Sequence, residues 1–147
     1  ILALSRQNLP AVRFDAEFKT ARGAYRLKGA DGARKVVLIA TGSEVELALD
    51  VAKALEADGI GADVVSAPSL ELFAEQDAGY RADLLPSDTL KVSIEAGVTL
   101  GWERFVGSEG LTIGIDTFGA RTGGVLFKHY GFSVEAIVPK IKSKLGI

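Results

Sequence analysis

Cysteine is absent from this chain, and so is methionine. Without a thiol there is no disulfide framework, no thiolate nucleophile and no sulfur ligand for a metal. Histidine occurs once, at His129. A catalytic triad or a metal centre needs convergent partners, so a histidine on a helix surface is the plainer reading. No apolar run approaches the roughly 20 residues that cross a bilayer, so a membrane is not expected as a partner. Neither sign of charge dominates: 17 basic and 19 acidic residues leave a net charge of −2. No basic patch or arm stands out, which argues against nucleic acid as a partner. No signal peptide is visible, and the cytoplasm is the default location. There is also no initiator methionine. The chain opens on Ile1-Leu2-Ala3-Leu4, as if in mid-strand, and reads as a piece of something longer.

What is present suffices for one domain with a proper core: 147 residues, 48% of them hydrophobic. The organising stretch runs from Lys35 to Ile60. Lys35 to Ala40 is a short β-branched run of the kind buried on both faces of a parallel sheet. Thr41-Gly42-Ser43 breaks it. Ser43 with Glu46 three residues on has the spacing of a capping box, so Ser43 is expected to cap the next helix. Val45, Ala48, Ala52 and Leu55 follow at helical spacing, with Glu46, Asp50 and Lys53 on the wet side. Gly59 ends that helix and Ala62 to Ser66 begins a second strand. Such a β-α-β unit is right-handed in nearly all cases.

Around this unit, Ala24 to Lys28 alternates like an edge strand. Gly29-Ala30-Asp31-Gly32 is turn chemistry, so a hairpin-like, antiparallel pairing with the 35–40 strand is expected. Two short helices are expected near 71–76 and 77–84, stopped by Leu85-Pro86. A buried strand follows at Leu90 to Glu95. Next come a short helix over Leu100 to Val106, with Trp102 and Phe105 inward, and a strand at Leu111 to Ile115. A glycine-rich loop from Gly119 to Gly124 leads to a helix with Leu126, Phe127 and Tyr130. Ser133 caps the last helix, where Pro139 lies deep enough to predict a kink or a late start. Val37, Ile39, Val64 and Ile94 are expected to be nearly fully buried.

Few residues offer independent chemistry. Glu95 and Asp116 follow predicted parallel strands, at the edge where α/β sheets bind ligands. Hydrogen bonding to neighbouring loop amides is the expected use of them. Thr41, Gly42 and Ser43 precede a helix N-terminus, where free amides favour an anion. Glu44 and Glu46 already supply negative charge to that turn, which favours the capping reading. Gly114 and Gly119 have the spacing of a phosphate-binding loop, but Ala120 stands where the lysine belongs, so a nucleoside-triphosphate site is rejected. Arg121 with Gly123 and Gly124 is a further weak anion candidate. The runner-up function is accordingly a small-ligand or regulatory anion-binding module using Thr41, Gly42, Ser43 and Arg121.

Four segments carry a family resemblance. Ser5-Arg6-Gln7-Asn8-Leu9, Ile39 to Val45, Glu95-Ala96-Gly97 through Gly101-Trp102-Glu103, and Asp116 to Ala120 with Gly131-Phe132 together resemble transketolase, in its C-terminal domain. The resemblance implies a three-layer α/β/α sandwich on a five-stranded, mostly parallel sheet with one antiparallel edge strand, supplied here by Ala24 to Lys28. It implies that residues 1–9 are a remnant of the preceding pyrimidine-binding domain, 10–22 a linker and 23–147 the C-terminal domain. One departure is visible: where the family has Ser-Ala-Pro, this chain has Arg121-Thr122-Gly123-Gly124.

The resemblance also implies the parent's chemistry. Transketolases are homodimers that move a two-carbon ketol unit between sugar phosphates in the pentose phosphate pathway. They use thiamine diphosphate and a divalent cation, magnesium or calcium. The cofactor supplies the ylid and carries the reaction, and it lies between the first two domains of opposite subunits. No residue here matches a catalytic, cofactor, metal or substrate ligand of the family. The piece is expected to be structural and inactive alone, with the remaining domains of the parent chain as its partners.

Overall fold

The computed structural model describes residues 8–117, 119 and 123–147. Residues 8–18 carry no regular element and are mostly exposed; a 3₁₀ turn follows at Lys19–Arg22. Five strands come next: β1 (Tyr25–Lys28), β2 (Arg34–Ala40), β3 (Gly61–Ser66), β4 (Leu90–Ile94) and β5 (Leu111–Ile113). The helices are α1 (Glu44–Ala57), α2 (Leu70–Ala74), α3 (Ala78–Leu84), α4 (Glu103–Val106), α5 (Gly123–His129) and α6 (Val134–Leu145). The sheet order is β1-β3-β2-β4-β5, parallel except for β1 at the edge.

Period-two alternation along the central strands divides the core. Val36, Leu38 and Ala40 face one side with Val64, Val92 and Ile94, where Val51, Ala52 and Leu55 of α1 and Ile137 and Ile141 of α6 cover them. Val37, Ile39 and Val65 face the other, under Phe73 of α2, Leu84 of α3, and Trp102 and Val106 around α4. The result is the three-layer sandwich. Val37, Ile39, Val64 and Ile94 are all buried, as their positions on central strands require.

β1 does not pair with β2, contrary to the hairpin expectation. It lies antiparallel on β3, with Tyr25 opposite Ser66 and Arg26 opposite Val65. A strand has only two edges, and β2 uses both in parallel pairs, one with β3 through the α1 crossover and one with β4. The free edge belongs to β3, and charge steers β1 there. Asp63 of β3, 3% exposed, faces Arg26 of β1 and Arg34 of β2.

Helix ends follow backbone chemistry closely. Gly59 takes φ +75°, and the Ile60 amide donates to the Leu55 carbonyl, closing α1 with a Schellman motif. Gly131 at φ +78° closes α5 in the same way, with the Phe132 amide on the Phe127 carbonyl. Ser133 does cap α6, accepting from the Ala136 amide at 3.3 Å. That cap starts the helix at Val134, so there is no late start, and α6 runs unbroken through the exposed Pro139. Gly23, at φ +80°, lets the chain enter the domain tight against α2: an added Cβ would stand 2.3 Å from the Phe73 nitrogen and the Ser69 oxygen.

Candidate functional site

The winding of the sheet points to one place. From β2 the chain crosses through α1 to β3, on one face. From β3 it returns through α2 and α3 on the other face to β4, then through α4 to β5. The direction reverses between β2 and β4. In open α/β sheets the crevice beyond the carboxyl ends of the strands at such a reversal is where ligands bind. Here that crevice lies between Thr41, which follows β2, and Glu95, which follows β4.

The chain's own side chains bridge it. The Thr41 hydroxyl donates to Glu95 Oε2. Ser43 Oγ donates to Glu44 Oε1 at 2.8 Å, and Glu44 is 4% exposed. Burial pushes the Glu95 carboxyl above its ordinary range; the Thr41 hydroxyl opposes that shift and the Glu44 charge adds to it. One strand further along, both oxygens of Asp116 are taken by Thr99: the Thr99 amide donates to Oδ1 and its hydroxyl to Oδ2, each at 2.8 Å. Those bonds hold the Asp116 carboxyl below its usual range.

Thr41 and Ser43 therefore meet carboxylates, and Gly42 between them supplies the turn. Ser43 also departs from its expected capping role. Its backbone is helical, with φ −66° and ψ −27°, and its side chain makes no capping bond. A side chain caps from an extended backbone, as Ser69 and Ser133 do here. At the start of α1 the chain instead turns over Gly42 at φ +49°, with the Glu44 amide on the Thr41 carbonyl at 3.1 Å. Arg121 lies outside the described residues. His129 sits exposed at the end of α5, its ring edge-on to Tyr130 at 5.0 Å. Among the described residues no three histidine or carboxylate side chains converge as metal ligands. No helix of the described residues is long and apolar enough to cross a membrane.

Sequence reasoning passed over a buried charge with several partners, Asp63. Its Oδ1 accepts from the Ala30 amide at 2.8 Å and its Oδ2 accepts from Arg34 Nη1 at 2.9 Å. Arg26 Nε stands 2.7 Å from Oδ2, close enough for charge pairing but poorly aligned for a hydrogen bond. The available signal was a lone charge inside an apolar strand, which demands a partner. The site is structural, since it ties β1, β2 and β3 together.

Residues 23–133 match the family model described as the transketolase-like TK C-terminal domain. The transketolase of Rhodobacter capsulatus is 44% identical over 154 residues, covering 99% of this chain and 23% of the relative. Transketolase 1 of Vibrio parahaemolyticus is 47% identical over 149 residues, with 99% and 22% covered. Among solved structures, transketolase from Campylobacter jejuni superposes with a TM-score of 0.84 at 35% identity, over 94% of this chain and 21% of that one. The chain thus spans less than a quarter of the length of these relatives. The family-model match, the sequence identity over nearly the whole length and the structural superposition agree, and the chain belongs to the transketolase family as its C-terminal domain.

Proposed function

We propose that this chain serves as the non-catalytic C-terminal domain of a transketolase, supporting the fold and the homodimer of the parent enzyme. In that enzyme a two-carbon ketol unit passes between sugar phosphates of the pentose phosphate pathway, in the cytoplasm. The carrying observation is the match over 99% of the chain to proteins named transketolase. Thiamine diphosphate supplies the carbanion chemistry when bound, with magnesium or calcium holding its diphosphate. The residues here do not suit that group. The carboxylates at the carboxyl edge are engaged by Thr41 and Thr99, and the described residues hold no convergent metal-ligand set. We accordingly place the cofactor between the parent's other domains, which are this domain's partners, with residues 10–22 as the connecting linker.

The same geometry argues against the anion-binding alternative at Thr41, Gly42 and Ser43. A phosphate there would face the Glu44 and Glu95 carboxyls across a hydroxyl already donated to Glu95. A chimera tests the main reading. Residues 23–147 replace the C-terminal domain of the C. jejuni enzyme, and ketol transfer between sugar phosphates is measured beside the dimer mass. Near-normal transfer in a dimer is expected. An inactive but folded dimer would show that this domain supplies something its counterpart does not share. Calorimetric titration of the 147-residue chain with thiamine diphosphate and magnesium should give only heats of dilution. Micromolar binding would refute the assignment of the cofactor to other domains.

A further inference from the structure

On the face of the sheet opposite α1, a cleft of about 470 Å³ opens between α3 and α4. One stripe of α3 and its C-terminal cap, Ala78, Arg81, Ala82 and Leu85, forms a wall. The spacing i, i+3, i+4, i+7 puts these on a single helix face, yet this face looks into the cleft, while Leu84 packs into the core. Ala78 and Ala82 are exposed. Longer side chains at those positions would fill the space. The floor is aromatic. Half-buried Phe105 lies 6.0 Å from Phe73 at 32° and 6.2 Å from Trp102 at 69°, ring centre to ring centre.

Arg81 and Arg104 line this cleft, and no carboxylate does. Both arginines are exposed, and neither appears in an ion pair or side-chain hydrogen bond of the described residues. The nearby acids are used elsewhere. Asp77 caps α3 through the Tyr80 amide, Asp83 pairs with Arg26 at 3.3 Å, and Glu103 accepts from the Gly101 amide. Glu71 and Glu75 line the neighbouring cleft, which shares Ala74, Arg104 and Phe105 with this one, without reaching ion-pair distance of Arg104. Arg104 spreads over the Phe105 ring, 5.8 Å from its centre, so an apolar surface and a cation meet at one point.

We propose that this cleft binds a small anion carried on an aromatic or other flat apolar body, such as an aryl phosphate or aryl carboxylate. The ring would extend the Phe105–Phe73 pair, and the anionic group would bridge the two guanidinium groups, which suit oxygen anions by their planar donor geometry. The site is separate from the carboxyl edge of the sheet, and its occupation involves no ketol transfer.

Trp102, the single tryptophan, is buried edge-on against Phe105 of the cleft floor, so its fluorescence reports a change in that ring's surroundings. The 147-residue chain is titrated with phenyl phosphate, and separately with inorganic phosphate and with phenol. Saturable binding of phenyl phosphate is expected, with each half-ligand at least roughly tenfold weaker. The Arg81→Gln, Arg104→Gln pair should weaken phenyl phosphate by roughly tenfold, the product of two exposed charge contacts. Ala82→Glu, a helix-compatible change, should place a carboxylate against the arginines and abolish binding while leaving the thermal midpoint near that of the parent chain. The proposal is overturned if phenyl phosphate gives no saturable change, or if the arginine pair alters its affinity by less than about twofold. It is equally overturned if the chain self-associates through a face that the arginine substitutions disrupt, since the cleft would then belong to a second copy.

Discussion

Asp63→Asn isolates what one buried charge does for this sheet. The asparagine keeps the shape and leaves an oxygen for the Ala30 amide, which Asp63 binds at 2.8 Å. It removes the charge that Arg34, at 2.9 Å, and Arg26, at 2.7 Å, both face. Removing one member of a fully buried pair costs about 3–5 kcal/mol, because the partner charge is left stranded. Here Asp63 is buried, but the two arginine side chains keep 34% and 27% of their exposure and can turn partly to water. The expected cost is therefore lower, about 2–3 kcal/mol. In a chain of this length that corresponds to a fall in Tm of about 4–12 °C. Asp63→Ala also orphans the Ala30 amide and should cost about 1 kcal/mol more. Urea unfolding with and without added salt is the assay. Salt should not close the gap between parent and variant, because Asp63 is buried and poorly screened. A loss below about 0.5 kcal/mol for Asp63→Asn would refute the reasoning, and with it the account of why β1 seeks β3.

Three further outcomes are expected. Ile39→Ala and Ile94→Ala, each removing a buried side chain from a central strand, should cost about 2–5 kcal/mol in urea titrations; under about 1 kcal/mol would contradict the packing. Ser133→Ala should cost about 0.5–2 kcal/mol by freeing the Ala136 amide, whereas Ser43→Ala should cost less than about 0.5 kcal/mol; equal losses in thermal melts would restore the capping role of Ser43. Glu95 binds its proton more tightly folded than unfolded, so its contribution is fully present below the ordinary value of 4.5 and is lost as pH rises through the raised folded value. Glu95→Gln should flatten that decline in a stability-versus-pH series, and an unchanged slope would count against it.

The layered architecture was legible because it rests on local, repeated signals. The β-branched run at 35–40, the helical stripe from Val45 to Leu55 and the glycines at 59 and 131 each report on neighbours a few residues away. Pairing was not legible for β1. The turn chemistry at 29–32 is compatible with a hairpin, and only competition for the edges of β2 excludes it. Ser43 misled for a related reason. The Ser-x-x-Glu spacing specifies which residues could cap, but the decision depends on the backbone angle at Ser43, which the turn at Gly42 sets. Asp63 was visible as a charge in an apolar strand, but its partners come from two other strands and a loop.

The carboxyl edge shows how a fold built for ligand binding can be occupied by itself. At the reversal between β2 and β4, an open sheet leaves a crevice because the flanking loops diverge to opposite faces. Ligand-binding members of this architecture fill it with glycines and helix amides aimed outward. Here β2 is followed by Thr41 and β4 by Glu95, and their side chains bond to each other across the gap. Asp116 does the same for the next strand by taking both polar groups of Thr99. Each bond satisfies a group that a ligand would otherwise recruit, and Glu44 adds a buried carboxyl beside the first. An anion entering there would have to displace an internal hydrogen bond and approach two carboxyls, with no described cation in compensation. The exposed guanidinium groups at Arg81 and Arg104 are engaged in no internal hydrogen bond among the described residues, and no carboxylate lines their shared cleft.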